Sequence, residues 1–199
     1  MGRGDEYKNE SDLTDGILAG SQAAYRYLID KYRQNVIRTV TGFIHSRADA
    51  EDITQEVFIE VFRSVDRFRR DSGLSTWIYR IAVNKSINFH RARRRKKIIS
   101  FFDLNAENEP EIKREPVAPA DFSPESALDR SEHAAEIQRA LDSLPHSQRT
   151  AFILSKYDDL SYHEIASVMN TTVSSVESLL FRARKNLQKK LYSYFKKSR

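Results

Sequence analysis

Aromatic and basic side chains are interleaved between residues 68 and 97, where the sequence runs FRRDSGLSTWIYRIAVNKSINFHRARRRKK. Aromatic rings stack on unpaired bases while cations neutralise the phosphates of the same strand, so this mixture suits single-stranded DNA binding. Asn84 adds an amide that can pair with a base edge. Phe89 fits an ordinary core position better, and Trp77 fits the core and a base contact equally well. The run Arg91–Lys97 suits phosphate contact rather than sequence recognition.

A second set of DNA-directed side chains lies near the carboxyl end of the chain. Apolar residues from Val176 to Leu191 recur at helical spacing and indicate a buried stripe. Phe181 lies away from that stripe, where a ring can contact a thymine methyl group. The alternative is a plain three-helix bundle with a basic tail. The face opposite the stripe carries the candidate DNA contacts Ser174, Ser175, Glu177, Ser178, Phe181, Arg182 and Lys185.

Capping patterns place these contacts on the second helix of a helix-turn-helix. Ser161 and Glu164 have the spacing of a capping box, in which each side chain bonds a backbone N–H at the start of a helix. Ser174 and Glu177 have the same spacing and predict the start of the next helix. Between the two boxes, Asn170-Thr171-Thr172 suits a tight turn. A short helix, a turn and a second helix form the layout that binds duplex DNA in the major groove.

Other chemistry finds little support in the residue types present. The chain has no cysteine, which excludes disulfides and thiol nucleophiles, and its five histidines lack metal-ligand spacing. It has no glycine-rich phosphate loop. His90 and Arg93 fit the short pattern of tyrosine recombinases, with Tyr192 or Tyr194 as nucleophile, but about a hundred residues and a proline-rich segment separate the two parts. We therefore expect no enzyme activity, metal or cofactor.

Charge is distributed in blocks along the chain, although the net charge is only +5. Residues 61–100 carry 12 basic and 2 acidic side chains, and residues 136–199 carry 11 and 6. Between them, residues 101–135 carry 3 basic and 9 acidic side chains. Two basic regions predict two contacts with a polyanion, and nucleic acid is the leading partner. The alternative, that these faces are simply solvated, is harder to accept for the first block than for the second.

The elements that position these residues are predicted to be helices. Glycine and proline are scarce: all prolines lie at positions 110–145 and no glycine follows Gly73. Gly20 followed by Ser21 predicts a helix stop and a capped restart, and Asp49 is a candidate cap for the next helix. After Gly73 a helix restarts near Ser75 or Thr76. Two stripes are predicted to face the core, Tyr25, Leu28, Ile29, Tyr32, Val36 and Val40 in one and Ile53, Val57, Phe58, Val61 and Phe62 in the other.

The fold class is therefore predicted to be all-α, with two helical domains. The first spans residues 12–97 and the second spans residues 131–195. Residues 98–130 are acidic and contain prolines, which predicts a flexible linker. The polar amino terminus lacks the features of a secretory signal, and no apolar run approaches the roughly 18 residues of a membrane span. We expect a soluble, cytoplasmic protein.

Three stretches of the chain carry a family resemblance. They are DAEDITQEVFIEVF at 49–62, FRRDSGLSTWIYRIAVN at 68–84 and LSYHEIASVMNTTVSSVESLLFRARKNL at 160–187. In this order they resemble the extracytoplasmic-function sigma factors, the smallest members of the sigma-70 family, which hold only its second and fourth conserved regions. The resemblance covers residues 12–97 and 131–193. It implies an RNA polymerase sigma factor that binds core polymerase, recognises the -10 and -35 promoter elements and directs transcription initiation.

The resemblance also implies roles for particular residues. Asp52, Gln55 and Glu56 match positions that bind core polymerase, whereas Ile53 and Phe58 suit the core. An anti-sigma factor is a further candidate partner. The matches to single-stranded -10 contacts are Phe68, Arg69, Trp77, Tyr79, Arg80 and Asn84, joined by Arg91 and Arg94 of the basic run, and Asn84 falls where the family lines a pocket for a flipped base.

One departure concerns the -35 helix, where many family members have Arg or Lys at the positions of Glu177 and Leu179. Here those residues are acidic and apolar, while Phe181 and Arg182 match the family. Because glutamate accepts from cytosine rather than pairing with guanine, a different -35 sequence is expected.

Two other functions stay open on the sequence alone. One is a stand-alone helix-turn-helix regulator, which would bind duplex DNA tightly by itself. The other is a nucleic-acid enzyme, which the missing catalytic cluster disfavours.

Overall fold

The computed structural model describes residues 7, 9–102, 124–157 and 160–197. These residues form eight α-helices and one 3-10 turn, without any strand, which confirms the predicted all-α class. The chain divides into two compact units, Met1–Pro110 and Glu111–Arg199. Unit 1 contains α1 (Glu10–Leu18), α2 (Gln22–Phe43), α3 (Arg47–Ser64), the 3-10 turn Val65–Arg67 and α4 (Leu74–Phe102); unit 2 contains α5 (Pro124–Asp142), α6 (His146–Tyr157), α7 (Tyr162–Met169) and α8 (Val173–Lys197).

Both ends of the predicted linker are helical. The α4 helix continues to Phe102, and α5 begins at Pro124, so residues 98–102 and 124–130 belong to helices. Proline is well tolerated at the first position of a helix, because its missing N–H would have had no partner there. Pro124 therefore starts α5 instead of excluding a helix. The rest of the predicted linker, residues 103–123, lies outside the described residues.

Unit 1 is a bundle in which α2, α3 and α4 pack on one another and α1 packs against α2. The predicted α2 stripe is confirmed at four positions, since Leu28, Tyr32, Val36 and Val40 are all buried. The other two predicted members, Tyr25 and Ile29, are half-buried. Burying a side chain of this size stabilises a fold by about 1.5–3 kcal/mol. The remaining core of unit 1 comes from the other helices and includes Leu13, Ile17, Ile53, Val57, Val61, Leu74, Ile78 and Ala82.

One residue of the predicted α3 stripe is wrongly placed. Phe62 is 58% exposed, whereas its neighbour Val61 is fully buried. Successive helical residues are about 100° apart, so Phe62 lies outside the sector that faces the core. Its ring instead packs edge-on against Tyr25, with 5.1 Å between ring centroids.

Turn chemistry sets the helix boundaries of unit 1. Gly20 adopts the positive φ of +77° that ends α1, and the Ser21 side chain then caps α2, as predicted. The prediction of Asp49 as the next cap is wrong, because Ser46 caps α3 by accepting the Asp49 N–H at 3.3 Å. Asp49 lies within the first turn of the helix, where its carboxylate instead pairs with Arg93 at 2.9 Å.

In unit 2, α8 packs against α5, α6 and α7. Its inward face consists of Val176, Leu180, Ala183 and Leu187, all buried as the sequence predicted. Leu141 and Leu144, on and just after α5, pack in one cluster with Ala183 and Leu187. Within the described ranges of the whole chain, no helix combines the length and the apolar character that a membrane span needs.

Candidate nucleic-acid interface

The helix-turn-helix of unit 2 is formed by α7 and α8. The capping box at the start of α7 is confirmed: the Ser161 hydroxyl accepts the Glu164 N–H, and the Glu164 carboxylate accepts the Ser161 N–H at 2.8 Å. Asn170 ends the helix in the left-handed region, with φ of +51°. Asparagine is one of the few residues besides glycine that visits this region routinely, so it suits the sharp turn between the two helices.

The start of α8 differs from the prediction by two residues. The helix begins at Val173, and its cap is Thr172, whose hydroxyl oxygen accepts the Ser175 N–H at 3.2 Å. Thr172 and Ser174 are both good caps, so spacing alone did not distinguish them. Ser174 and Glu177 therefore lie inside the helix, and the predicted second capping box is wrong.

The outward face of α8 presents the predicted DNA contacts together. Phe181 is 68% exposed, so its ring is available to a partner. A shallow groove of about 470 Å³ is lined by Glu177, Ser178, Phe181 and Arg182. Asn186 donates to Gln148 of α6 at 2.9 Å and helps to fix the helix. Six of the seven predicted residues are exposed and the seventh, Ser175, is half-buried.

In unit 1, the loop before α4 and the first turn of α4 carry the first part of the predicted single-strand surface. The rings of Phe68 and Trp77 pack together with 5.1 Å between centroids, and both are half-buried. Arg69 is exposed beside them. Arg70 adopts a positive φ of 60°, which turns the loop sharply before α4 begins at Leu74. Two half-buried aromatic rings and an exposed cation therefore lie close together where α4 begins.

The α1 helix holds this loop in place, a contact that the sequence did not indicate. The Glu10 carboxylate accepts the Ser75 N–H at 3.1 Å and so caps α4 from another helix. Arg70 donates to Asp15 and Ser11 of α1. A cavity of about 300 Å³ lies between α1 and the loop, lined by Glu10, Ser11, Thr14, Phe68, Arg70, Ser72, Gly73 and Leu74.

Removing this cross-helix cap is expected to destabilise unit 1 without touching its core. Glu10→Ala should lower the free energy of unfolding by about 1 kcal/mol, the usual effect of losing a cap. Urea denaturation followed by circular dichroism measures the change. Asp12→Ala is the matched control, since Asp12 is an acid in the same first turn of α1. Equal losses for the two variants would show that the Glu10 bond contributes nothing specific.

Further along α4, the predicted contacts differ in accessibility. Asn84 and Arg91 are exposed, and Arg80 is half-buried. Tyr79 is only 3% exposed and belongs to the buried core of unit 1, so we leave it out of the DNA-binding surface that we propose below. The Arg94 side chain lies outside the described part of the structure.

The acidic face of α3 continues into an exposed apolar patch. Asp52, Gln55 and Glu56 are all exposed, and Ile59 (49% exposed) and Phe62 follow at the spacing of one helix face. The apolar pattern of the sequence predicted Phe62 to be in the core and indicated no role for Ile59. Lys85 of α4 lies beside this face, with its Nζ atom 3.3 Å from Glu56 and 3.7 Å from Glu60.

Comparison with known proteins assigns the two units to parts of one family. The family description "Sigma-70 region 2" matches residues 28–96, and "Sigma-70, region 4" matches residues 134–187. The RNA polymerase sigma-H factor of Pseudomonas aeruginosa is 34% identical, over 92% of this chain and 94% of that protein. The ECF RNA polymerase sigma-E factor of Escherichia coli K12 is also 34% identical, over 94% of this chain and 96% of that protein.

Solved structures show the same fold. CnrH in complex with the cytosolic domain of CnrY has a TM-score of 0.67 and 21% identity, covering 92% of this chain and 97% of that one. The sigma factor RpoE in complex with the anti-sigma factor NepR from Bartonella quintana has a TM-score of 0.60 and 22% identity, covering 84% and 96%. Together with the matching regions and the curated relatives, these comparisons show that the chain belongs to the extracytoplasmic-function group of the sigma-70 family of RNA polymerase sigma factors.

Proposed function

We propose that this sigma factor binds core RNA polymerase through α3, holds the non-template strand of the -10 element with the loop before α4 and with α4, and recognises the -35 element with α8. The protein needs no catalytic group for this role, because the polymerase performs the chemistry. A factor that acts on polymerase in this way works in the cytoplasm. An anti-sigma factor, the kind of partner named for the Bartonella quintana structure, is a further candidate partner.

The observation that carries the proposal is the exposed face of α3. Asp52, Gln55 and Glu56 provide polar contacts, and Ile59 and Phe62 provide an apolar surface beside them. Aromatic anchors surrounded by polar groups are typical of protein–protein interfaces. A stand-alone helix-turn-helix regulator needs no such surface in a part of the chain far from its DNA-binding helix. The exposed face of α3 therefore favours the sigma function over that alternative.

The DNA contacts divide into two chemically different surfaces. In unit 1, Phe68 and Trp77 offer partly exposed rings for base stacking, Asn84 offers an amide for a base edge, and Arg69 and Arg91 are exposed cations. This combination suits an unpaired strand. Arg80 is half-buried on the same helix, and the family resemblance adds Arg94 as a proposed contact. In unit 2, hydroxyl, carboxylate, aromatic and basic groups share one face of α8, as major-groove recognition requires.

Losing one contact from each surface should impair initiation. Asn84→Ala and Arg182→Ala are each expected to lower the rate of run-off transcription by about tenfold, since a good base contact is worth about 1–3 kcal/mol. The assay uses purified core polymerase and a promoter selected with the wild-type chain. The controls are Gln34→Ala, an exposed amide on α2, and Arg184→Ala, an exposed arginine on α8. Normal initiation by both variants would refute these residue assignments.

A further inference from the structure

We propose that Glu177 makes this sigma factor select a cytosine in the upstream promoter element. The inference rests on the proposed function, in which α8 enters the major groove. It concerns the base that one residue selects. Two observations support it: Glu177 lies on the exposed part of α8, and it neither caps the helix nor has an ion-pair partner at helical spacing. The chemistry of a carboxylate, which accepts but does not donate, then indicates the base.

Glu177 has no role in capping its own helix. Because Thr172 caps α8 through the Ser175 N–H, Glu177 lies beyond the first turn and is too far along to complete a capping box. Helical ion pairs form between residues three or four positions apart. The residues at those positions around Glu177 are all uncharged: Val173, Ser174, Leu180 and Phe181.

The position of Glu177 on α8 is the one from which base edges are reached. It is exposed, it lies about 100° around the helix from the buried Val176, and it lines the groove with Phe181 and Arg182. Recognition helices contact bases with the residues near their amino-terminal end. Lys185, two turns further along, suits the flanking phosphates.

A carboxylate in this position must find a donor on a base. Facing DNA it is repelled by the phosphates, and that repulsion disfavours binding unless a base contact offsets it. In the major groove, guanine presents two acceptors to the protein and thymine an acceptor and a methyl group. Adenine presents a donor beside the N7 acceptor, which repels a second negative oxygen. Cytosine presents its N4 amine with no acceptor on the same base, so it is the base that Glu177 favours.

Exchanging the carboxylate for an amide provides the test. Glutamine both accepts and donates, which matches adenine N7 and N6. Holoenzyme is assembled from core polymerase and either the full wild-type chain or its Glu177→Gln variant. Each holoenzyme selects sequences from a randomised duplex pool, and the enriched sequences are determined. We expect a cytosine in the upstream motif for the wild type and an adenine at the same position for Glu177→Gln. The preference at that position should change by about tenfold, with the downstream motif unchanged.

Two further variants keep the test decisive. Glu177→Asp retains an acceptor-only group and should keep the cytosine preference, whereas Glu177→Ala should lose it without gaining adenine. Glu136→Gln, which removes one negative charge from α5, controls for general electrostatics and should leave the motif unchanged. If Glu177→Gln selects the wild-type motif, the inference is overturned and the proposed function survives. If the wild-type holoenzyme enriches a downstream motif but no upstream one, the proposed role of α8 fails as well.

Discussion

Replacing Phe62 with serine is expected to weaken the binding of core RNA polymerase by about 30-fold, because buried aromatic anchors at interfaces are worth about 2 kcal/mol or more. The ring is 58% exposed in the free protein, where its described ring partner is Tyr25. Most of its surface is therefore available to a partner, and little core packing is lost on substitution. Titration of labelled protein with purified core polymerase measures the affinity.

The matched control for this substitution is Leu18→Ser. Leu18 is another exposed apolar residue of unit 1, 40% exposed, but it lies on α1 and outside the α3 face. The Leu18→Ser substitution should leave the affinity for core polymerase unchanged. Circular dichroism distinguishes a lost contact from a lost fold, since both variants should keep the helical content of the wild type. If Phe62→Ser binds core polymerase normally, α3 contributes less to the interface than we propose.

Truncating Leu180 to alanine is expected to destabilise unit 2 by about 2–5 kcal/mol, the usual cost of leaving a cavity in a packed core. The side chain is 1% exposed, on the inward face of α8. A small domain has a total stability of only about 5–15 kcal/mol, so much of the helix-turn-helix should unfold near physiological temperature. The transition is followed by thermal denaturation, and recognition of the upstream element is measured by run-off transcription.

Because the two units are separately compact, Leu180→Ala should leave the binding of core polymerase through unit 1 largely intact. The control is Leu179→Ala, which truncates the neighbouring, half-buried leucine and should cost less. A parallel loss of the α3 contact would mean that the units fold as one, and would contradict the assignment of separate roles.

The helix caps show which features the sequence could predict and which it could not. The Ser161–Glu164 box was predictable because both residues of a reciprocal pair stand at the required spacing. At α8, Thr172 and Ser174 both suited a cap, and only the folded chain shows that Thr172, which follows the left-handed turn at Asn170, takes this role. Local spacing does not contain that information.

Side-chain placement on the faces of helices was predictable only in part. The spacing of Leu28, Tyr32, Val36 and Val40 identified the core face of α2. Phe62 and Tyr79 were both misjudged in accessibility, because aromatic residues suit a core and an interface equally well and the neighbouring helix decides which side is covered. The cap that Glu10 provides to α4 joins residues 65 positions apart, and no local pattern could reveal it.

Predicting the proposed binding surfaces from the sequence required two kinds of information. Composition and interleaving of charge identified nucleic acid as the partner and placed two basic regions. The resemblance to a family supplied the polymerase and the promoter elements, which charge and periodicity could not name. The apolar half of the α3 surface emerged only from the exposure of Ile59 and Phe62 in the folded unit.

We propose above all that this protein opens promoter DNA only together with core polymerase. Permanganate reactivity of thymines in an intact promoter duplex tests it most directly, because permanganate oxidises unpaired thymines. We predict reactive thymines in the -10 element when the chain and core polymerase are both present, and none with either alone. Tight binding of the duplex by the chain alone, with no opening when core polymerase is added, would contradict the claim.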